Sequence, residues 1–152
     1  MNNILDFLFK KINKNYVART TESKPTFREN RSSYIAKNPN KKELLKLVID
    51  GGICKSQSSK KCDKGLYVLP DDKIFLIELK GCDIETAFKQ LFSSYTWLDN
   101  MNNNSHRINY YIRFVYTRGC KMARFQHYIK KFKKKGVLDI KYHERIMDID
   151  II

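Results

Sequence analysis

Asp63, Glu78 and Lys80 fall in a pattern that suits phosphodiester hydrolysis. In the apolar run Ile74–Lys80, side chains alternate along a strand, so Ile74, Leu76, Glu78 and Lys80 share one face while Phe75, Ile77 and Leu79 take the other. A strand that is apolar on both faces is normally covered on both, which sets the carboxylate and the ammonium beside the core. Burying two charges there is costly without partners. The turn Pro70-Asp71-Asp72-Lys73 folds the preceding apolar run Gly65–Leu69 back against this strand. Pairing Pro70 with Lys73 sets Asp63 opposite Lys80 and Gly65 opposite Glu78. Asp63 and Glu78 are then a same-face diagonal pair, about 7 Å apart at the backbone and within reach of one shared cation.

Two hard carboxylate oxygens and a neighbouring backbone carbonyl suit Mg²⁺, with Mn²⁺ as a substitute. On a scissile phosphate such an ion stabilises developing charge and makes a nucleophile of bound water. Lys80 is placed to orient or deprotonate that water, or to neutralise the phosphate oxygens. Its apolar surroundings favour the neutral amine, whereas the two carboxylates favour the charged one.

Lys61-Cys62-Asp63, a hairpin, and then Ile77-Glu78-Leu79-Lys80-Gly81 resemble the D…(E/D)-x-K core of the PD-(D/E)XK nuclease superfamily, over roughly residues 41–117. The resemblance implies a restriction-endonuclease-like fold with Asp63 and Glu78 as metal ligands, Lys80 as the catalytic lysine and Leu79 lending its carbonyl. It also implies a role for Glu43 from a helix before the first strand, and for Gln90 from the helix after the lysine. Cys62 stands where the family name has proline, and Tyr95 follows Gln90 by five residues where exonuclease branches have four. The layout from Lys42 to Asp63 is similar to archaeal-type Holliday-junction resolvases, which are small, basic and dimeric.

The elements that must position these residues are legible to different degrees. Residues 2–13 read as a short amphipathic helix, with Ile4, Leu5, Phe7, Leu8 and Ile12 at helical spacing. Ala18–Asn40 is polar and basic without apolar periodicity and reads as a loop or mobile arm. Lys41–Val48 reads as a helix stopped by Asp50-Gly51-Gly52, and Ile53–Lys55 as a short first strand. Asp83 caps a helix running to about Leu98. Asp99–Arg107 reads as a loop, and the β-branched and aromatic run Ile108–Thr117 as a long strand. A last helix shows Met122, Phe125, Ile129 and Phe132 on one face and ends at Gly136, before closing strands at Leu138–Tyr142 and Ile146–Ile152. The expectation is an α/β fold: a mixed sheet of four or five strands flanked by helices, with residues 1–40 as helix and basic arm and 41–152 as the core domain.

The chain of 152 residues carries 30 Lys plus Arg against 16 Asp plus Glu, a formal charge of +14. That imbalance favours a polyanionic partner, and nucleic acid is the commonest because phosphate neutralisation releases counterions. DNA is the expected substrate, with RNA open, and a homodimer or partner protein is expected to supply specificity. Lys60, Lys61, Lys121, Arg124, Lys130, Lys131 and Lys134 are the candidate phosphate contacts, although a basic helix face is commonly just solvated. No apolar run approaches the roughly 20 residues of a membrane span, and Met1–Ile12 lacks the pattern of a secretory signal, so a cytoplasmic protein is expected. Cys54, Cys62, Cys82 and Cys120 lack zinc-site spacing.

Taken together, these features lead to the expectation of a metal-dependent DNA endonuclease using water as nucleophile. Two other classes compete. One is a catalytically silent nucleic-acid or protein adaptor of the same fold, in which Glu78 and Lys80 form a plain ion pair. The other is a peripheral membrane protein using the first helix and the lysines.

Overall fold

The computed structural model describes residues 4–11, 15–55, 60–79, 83–103, 106–117 and 125–152. Its elements are α1 (Ile4–Phe9), β1 (Val17–Thr20), β2 (Thr26–Glu29), β3 (Ser32–Lys37), β4 (Leu44–Val48), β5 (Lys64–Val68), β6 (Lys73–Leu79), α2 (Ile84–Asn102), β7 (Asn109–Tyr116), α3 (Phe125–Lys134), β8 (Asp139–Glu144) and β9 (Ile146–Ile151). A mixed sheet runs β1-β4-β5-β6-β7-β8, antiparallel up to β6 and parallel from there on. A second sheet runs β2-β3-β9. The α/β class and mixed sheet stand, but nine strands in two sheets replace the expected four or five.

Alternation along β6 builds both layers at once. Ile74 and Leu76 face a cluster made with Phe88, Leu91, Phe125 and Phe132 of α2 and α3, closed at the side by Ile4 and Leu8 of α1. Phe75, Ile77 and Leu79 face the other way, against Phe27, Tyr34, Ala36 and Met147 of the second sheet. The protein is thus three layers, helices on a six-stranded sheet on a three-stranded one. Among the described residues, helices cover one face of the large sheet and the second sheet covers the other. Asp83 caps α2 as expected, its side chain accepting the Thr86 N–H at 3.1 Å. The helix runs four residues beyond Leu98 into the stretch read as a loop.

The first fifty residues depart most from the sequence reading. Ala18–Asn40 is not an arm: it supplies three strands, of which β3 pairs in parallel with β9 and so ties the start of the chain to its end. This removes the boundary expected at residue 40. Lys41–Val48 is no helix. Leu44, Leu45 and Leu47 are fully buried on a strand covered on both faces. Ile53–Lys55 forms turns and one isolated bridge, Asp50 to Cys54, in place of a strand. Among the described residues no helix is long and apolar enough to cross a membrane.

Between the two sheets lies one cation that sequence periodicity does not reveal. Arg113 of β7 is 1 % exposed and grips Asp150 of β9 with two hydrogen bonds, Nε at 2.6 Å and Nη2 at 2.7 Å. Asp139 of β8 accepts from the same Nη2 at 2.9 Å, and the Tyr34 hydroxyl of β3 donates to Asp150 at 2.8 Å. Burial works against the charge on Arg113, yet the Asp150 hydrogen bond and charge more than offset it and hold its pKa above the ordinary value. Burial foremost, with Asp150 beside it, pushes the Tyr34 hydroxyl well up as well. Removing one partner of such a pair strands the other, so Arg113→Ala should cost about 3–5 kcal/mol in denaturant unfolding. A loss under about 1 kcal/mol would show that the two sheets do not depend on this pair.

Candidate active site

The hairpin of β5 and β6 decides where the chemistry-bearing residues meet. Lys64 stands opposite Ile77 and Val68 opposite Lys73, so the loop between them holds four residues, Leu69 to Asp72. The two-residue turn expected from the sequence would have shifted this register by two. A shift of two conserves the face, so Asp63 and Glu78 still point the same way. It changes the level: carried one step beyond Lys64 and Ile77, the register sets Asp63 beside Glu78 where a diagonal was expected.

The two residues hold each other through backbone donors. The Asp63 N–H donates to Glu78 Oε2 at 3.1 Å, and the Leu79 N–H donates to Asp63 Oδ2 at 3.4 Å. Glu78 is fully buried because β6 is a central strand covered on both faces, whereas Asp63 at the mouth of β5 is half-buried. Their field reaches Cys62: burial foremost pushes its thiol up, the Ser94 hydrogen bond opposes, and the charges of Glu78 and Asp63 push the same way as burial.

The helix after β6 completes this end of the sheet. β6, α2 and β7 form a parallel crossover, so α2 starts near the end of β6 and runs back along the sheet. Gln90 sits in its second turn, 7 % exposed. Ser94, one turn later on the same face, accepts the Cys62 N–H at 2.8 Å and donates to the Gln90 carbonyl at 3.0 Å. Through Ser94, the turn of α2 that carries Gln90 is tied to Cys62, the residue before Asp63. Ser94, which the sequence reading passed over, is what ties α2 to the approach to Asp63. Its only sequence signal was the four-residue spacing from Gln90.

Other expected site residues fall elsewhere. Glu43 is not on a helix; it precedes β4, its carbonyl accepts the Leu69 N–H at 3.0 Å and its carboxylate pairs with Arg19. That is the turn end of the sheet, five positions from Val48 and roughly 17 Å along a strand from the level of the carboxylates. It takes no part in the site. The Leu79 side chain is 1 % exposed in the inter-sheet core, and the group seen to meet Asp63 is its N–H. Lys80 lies outside the described residues, as do Lys121 and Arg124. Among the described residues no cluster of three or more His, Cys, Asp or Glu side chains is formed, so the donors at hand are the Asp63 and Glu78 pair.

Of the candidate phosphate contacts, Lys60 is exposed, but Lys61 is 4 % exposed and does not present its charge to solvent. Lys130, Lys131 and Lys134 are exposed on α3, and Lys131 Nζ lies 4.3 Å from the Phe92 ring centre. Phe125 at the start of α3 packs on Phe114, which pairs with Glu78, with ring centres 5.9 Å apart. From there the helix rises 1.5 Å per residue, so these lysines stand about 8–14 Å further along the molecule.

Set against protein-family models, curated proteins and solved structures, the chain matches none of them.

Because the loop fixes the register, the ion pairs holding it bear on the site. Asp71 accepts from Lys42 at 2.7 Å and lies 3.1 Å from Lys73. The Lys42 hydrogen bond foremost holds its carboxyl below the ordinary value of 3.8. A depressed folded-state value gives stability that is fully present above the unfolded value and is lost as pH falls through the folded one. Asp71→Asn should therefore lower stability by up to about 1 kcal/mol at neutral pH. The gap to wild type should close in acid below 3.8. Unfolding curves at several pH values check this, and a gap that persists in strong acid would contradict it.

Proposed function

We propose that the protein is a metal-dependent nuclease acting on DNA, with Asp63 and Glu78 as the ligands of its cation. The observation that carries this reading is that two carboxylates, Asp63 and Glu78, each accept a backbone N–H at the same end of β6, within a chain of net charge +14. Two acidic side chains brought to one end of a strand suit a shared cation, which offsets their mutual repulsion.

Their oxygens fit Mg²⁺ or Mn²⁺ by donor chemistry, and a cation bound there would polarise a phosphate and lower the pKa of its water. Glu78, enclosed by both layers, is a rigid anchor. Asp63, half exposed, is the ligand that faces incoming substrate. The Asp63 N–H holds one oxygen of Glu78, and the Leu79 N–H holds one oxygen of Asp63. Gln90 and Lys80 belong to the same end by position in the chain, Lys80 in the role of orienting or deprotonating the attacking water. The exposed lysines of α3 position the polyanion without reading its sequence. In this reading the three-layer fold is a restriction-endonuclease-like core, with specificity coming from a second copy or a partner.

The test is cleavage of labelled duplex, single-stranded and four-way-junction DNA by wild type and Glu78→Ala, with Mg²⁺, Mn²⁺ or EDTA. Cutting should require the metal and fall at least about a thousandfold in the variant, as for loss of an essential electrostatic group. Binding without cutting by the wild type under every condition would replace the nuclease with an adaptor.

A further inference from the structure

We propose that a cavity between the two sheets, at the same end as the carboxylates but on the opposite face of β5, binds one unpaired nucleotide by its phosphate and its base. The cavity measures about 290 Å³. That is at the small end of ligand pockets, roughly 300–1,000 Å³, and suits a single nucleotide unit. Phe27 and Val48 give it an apolar wall and Tyr16 an aromatic side, while Arg28, Lys46 and Lys64 bring three cations and no acidic residue lines it.

The chemistry narrows the ligand. Lys46 and Lys64 share a face of adjacent strands, since Val48 pairs with Lys64 and Lys46 is two residues from Val48. Lys46 Nζ lies 5.2 Å above the Phe27 ring centre and 3.5 Å from the exposed Glu22 carboxylate. Lys55 sits 5.4 Å over Tyr16. Three cations disfavour a purely apolar guest, and an apolar wall gives nothing to a bare anion. A guest with one flat apolar part and one anionic part satisfies both. Basic residues interleaved with aromatic ones are how proteins hold single-stranded nucleic acid, with stacking contributing about 1–3 kcal/mol per base.

Position links the pocket to the chemistry. Lys64 directly follows Asp63, and alternation sends the two side chains to opposite faces of β5. A strand rounding this end of the sheet would present a phosphate to Asp63 and Glu78 and lodge a flanking unpaired nucleotide behind them. That placement in the substrate rests on the nuclease reading, whereas the pocket's affinity for a nucleotide does not.

The experiment titrates the full ¹⁵N-labelled chain, in EDTA, with thymidine 5′-monophosphate, thymidine and inorganic phosphate. The monophosphate should shift the amides of Tyr16, Phe27, Lys46, Val48 and Lys64, and bind at least about tenfold tighter than either fragment. Arg28→Ala, an exposed change with little burden on folding, and Lys46→Ala should each weaken it about tenfold, as for loss of a hydrogen bond to a charged group. Lys141→Ala, an exposed change on β8 at the opposite edge of the large sheet, should not. Shifts confined to other surfaces, or equal binding of phosphate or thymidine alone, would overturn the proposal. EDTA keeps the two readings apart: a chain that binds the monophosphate but never cuts DNA loses only the nuclease, and one that cuts but ignores the monophosphate loses only the pocket.

Discussion

Everything at the carboxylate end depends on the register of one hairpin. The loop Leu69 to Asp72 holds four residues, and that number places Asp63 beside Glu78. A loop one residue shorter or longer would send Asp63 to the other face of the sheet, and the pair would no longer exist. Lys42 and Lys73 converging on Asp71, with Asp72 in the left-handed conformation closing the turn, pin the loop at that length. The site is thus specified about five residues from where it sits, by ion pairs that never touch it.

The layers around the hairpin explain how a charged pair persists there. Helices cover one face of β6 and the second sheet covers the other, so Glu78 is held in a low-dielectric end-of-strand position where the Asp63 N–H donates to it. The Arg113 and Asp150 pair works on the same principle on the far face. There a buried charge is matched by a bidentate partner and by a Tyr34 hydroxyl drawn from a third strand. Parallel pairing of β3 with β9, across more than a hundred residues of sequence, joins that network to the hairpin's outer face. Such long-range pairing is slow to form and places much of the folding work on contacts distant in the chain.

How much of this could be read in the sequence follows from which residues the layers bury. β5, β6, β7, α2 and α3 were legible because their apolar residues are dense and periodic and their caps and breakers, such as Asp83 and Gly136, have one meaning. The strands of residues 17–37 were not. β1 is an edge strand burying only Val17, and β3 buries Ser32, Tyr34 and Ala36, residues that carry little hydrophobic signal. β4 failed for the opposite reason: Leu44-Leu45-Lys46-Leu47-Val48 is apolar on both faces, and a short run of that kind looks the same on a strand as on a buried helix. With that error went Glu43, whose place in the site needed the helix. The expected nearness of Asp63 and Glu78 holds because face parity survives a two-residue change of register, which alters only their level. Arg113, Ser94 and the Arg28, Lys46 and Lys64 pocket carry no local signature, since each is defined by a partner brought from elsewhere in the chain.

The central claim is that the register of this hairpin pairs two carboxylates around a divalent cation. Anomalous diffraction from crystals soaked in Mn²⁺ measures it most directly. The account predicts one strong peak at 2.0–2.3 Å from oxygens of both Asp63 and Glu78, within the usual range for hard cations on carboxylates, and its loss in Asp63→Asn crystals. Manganese bound elsewhere, or no peak beside the two carboxylates, would contradict it.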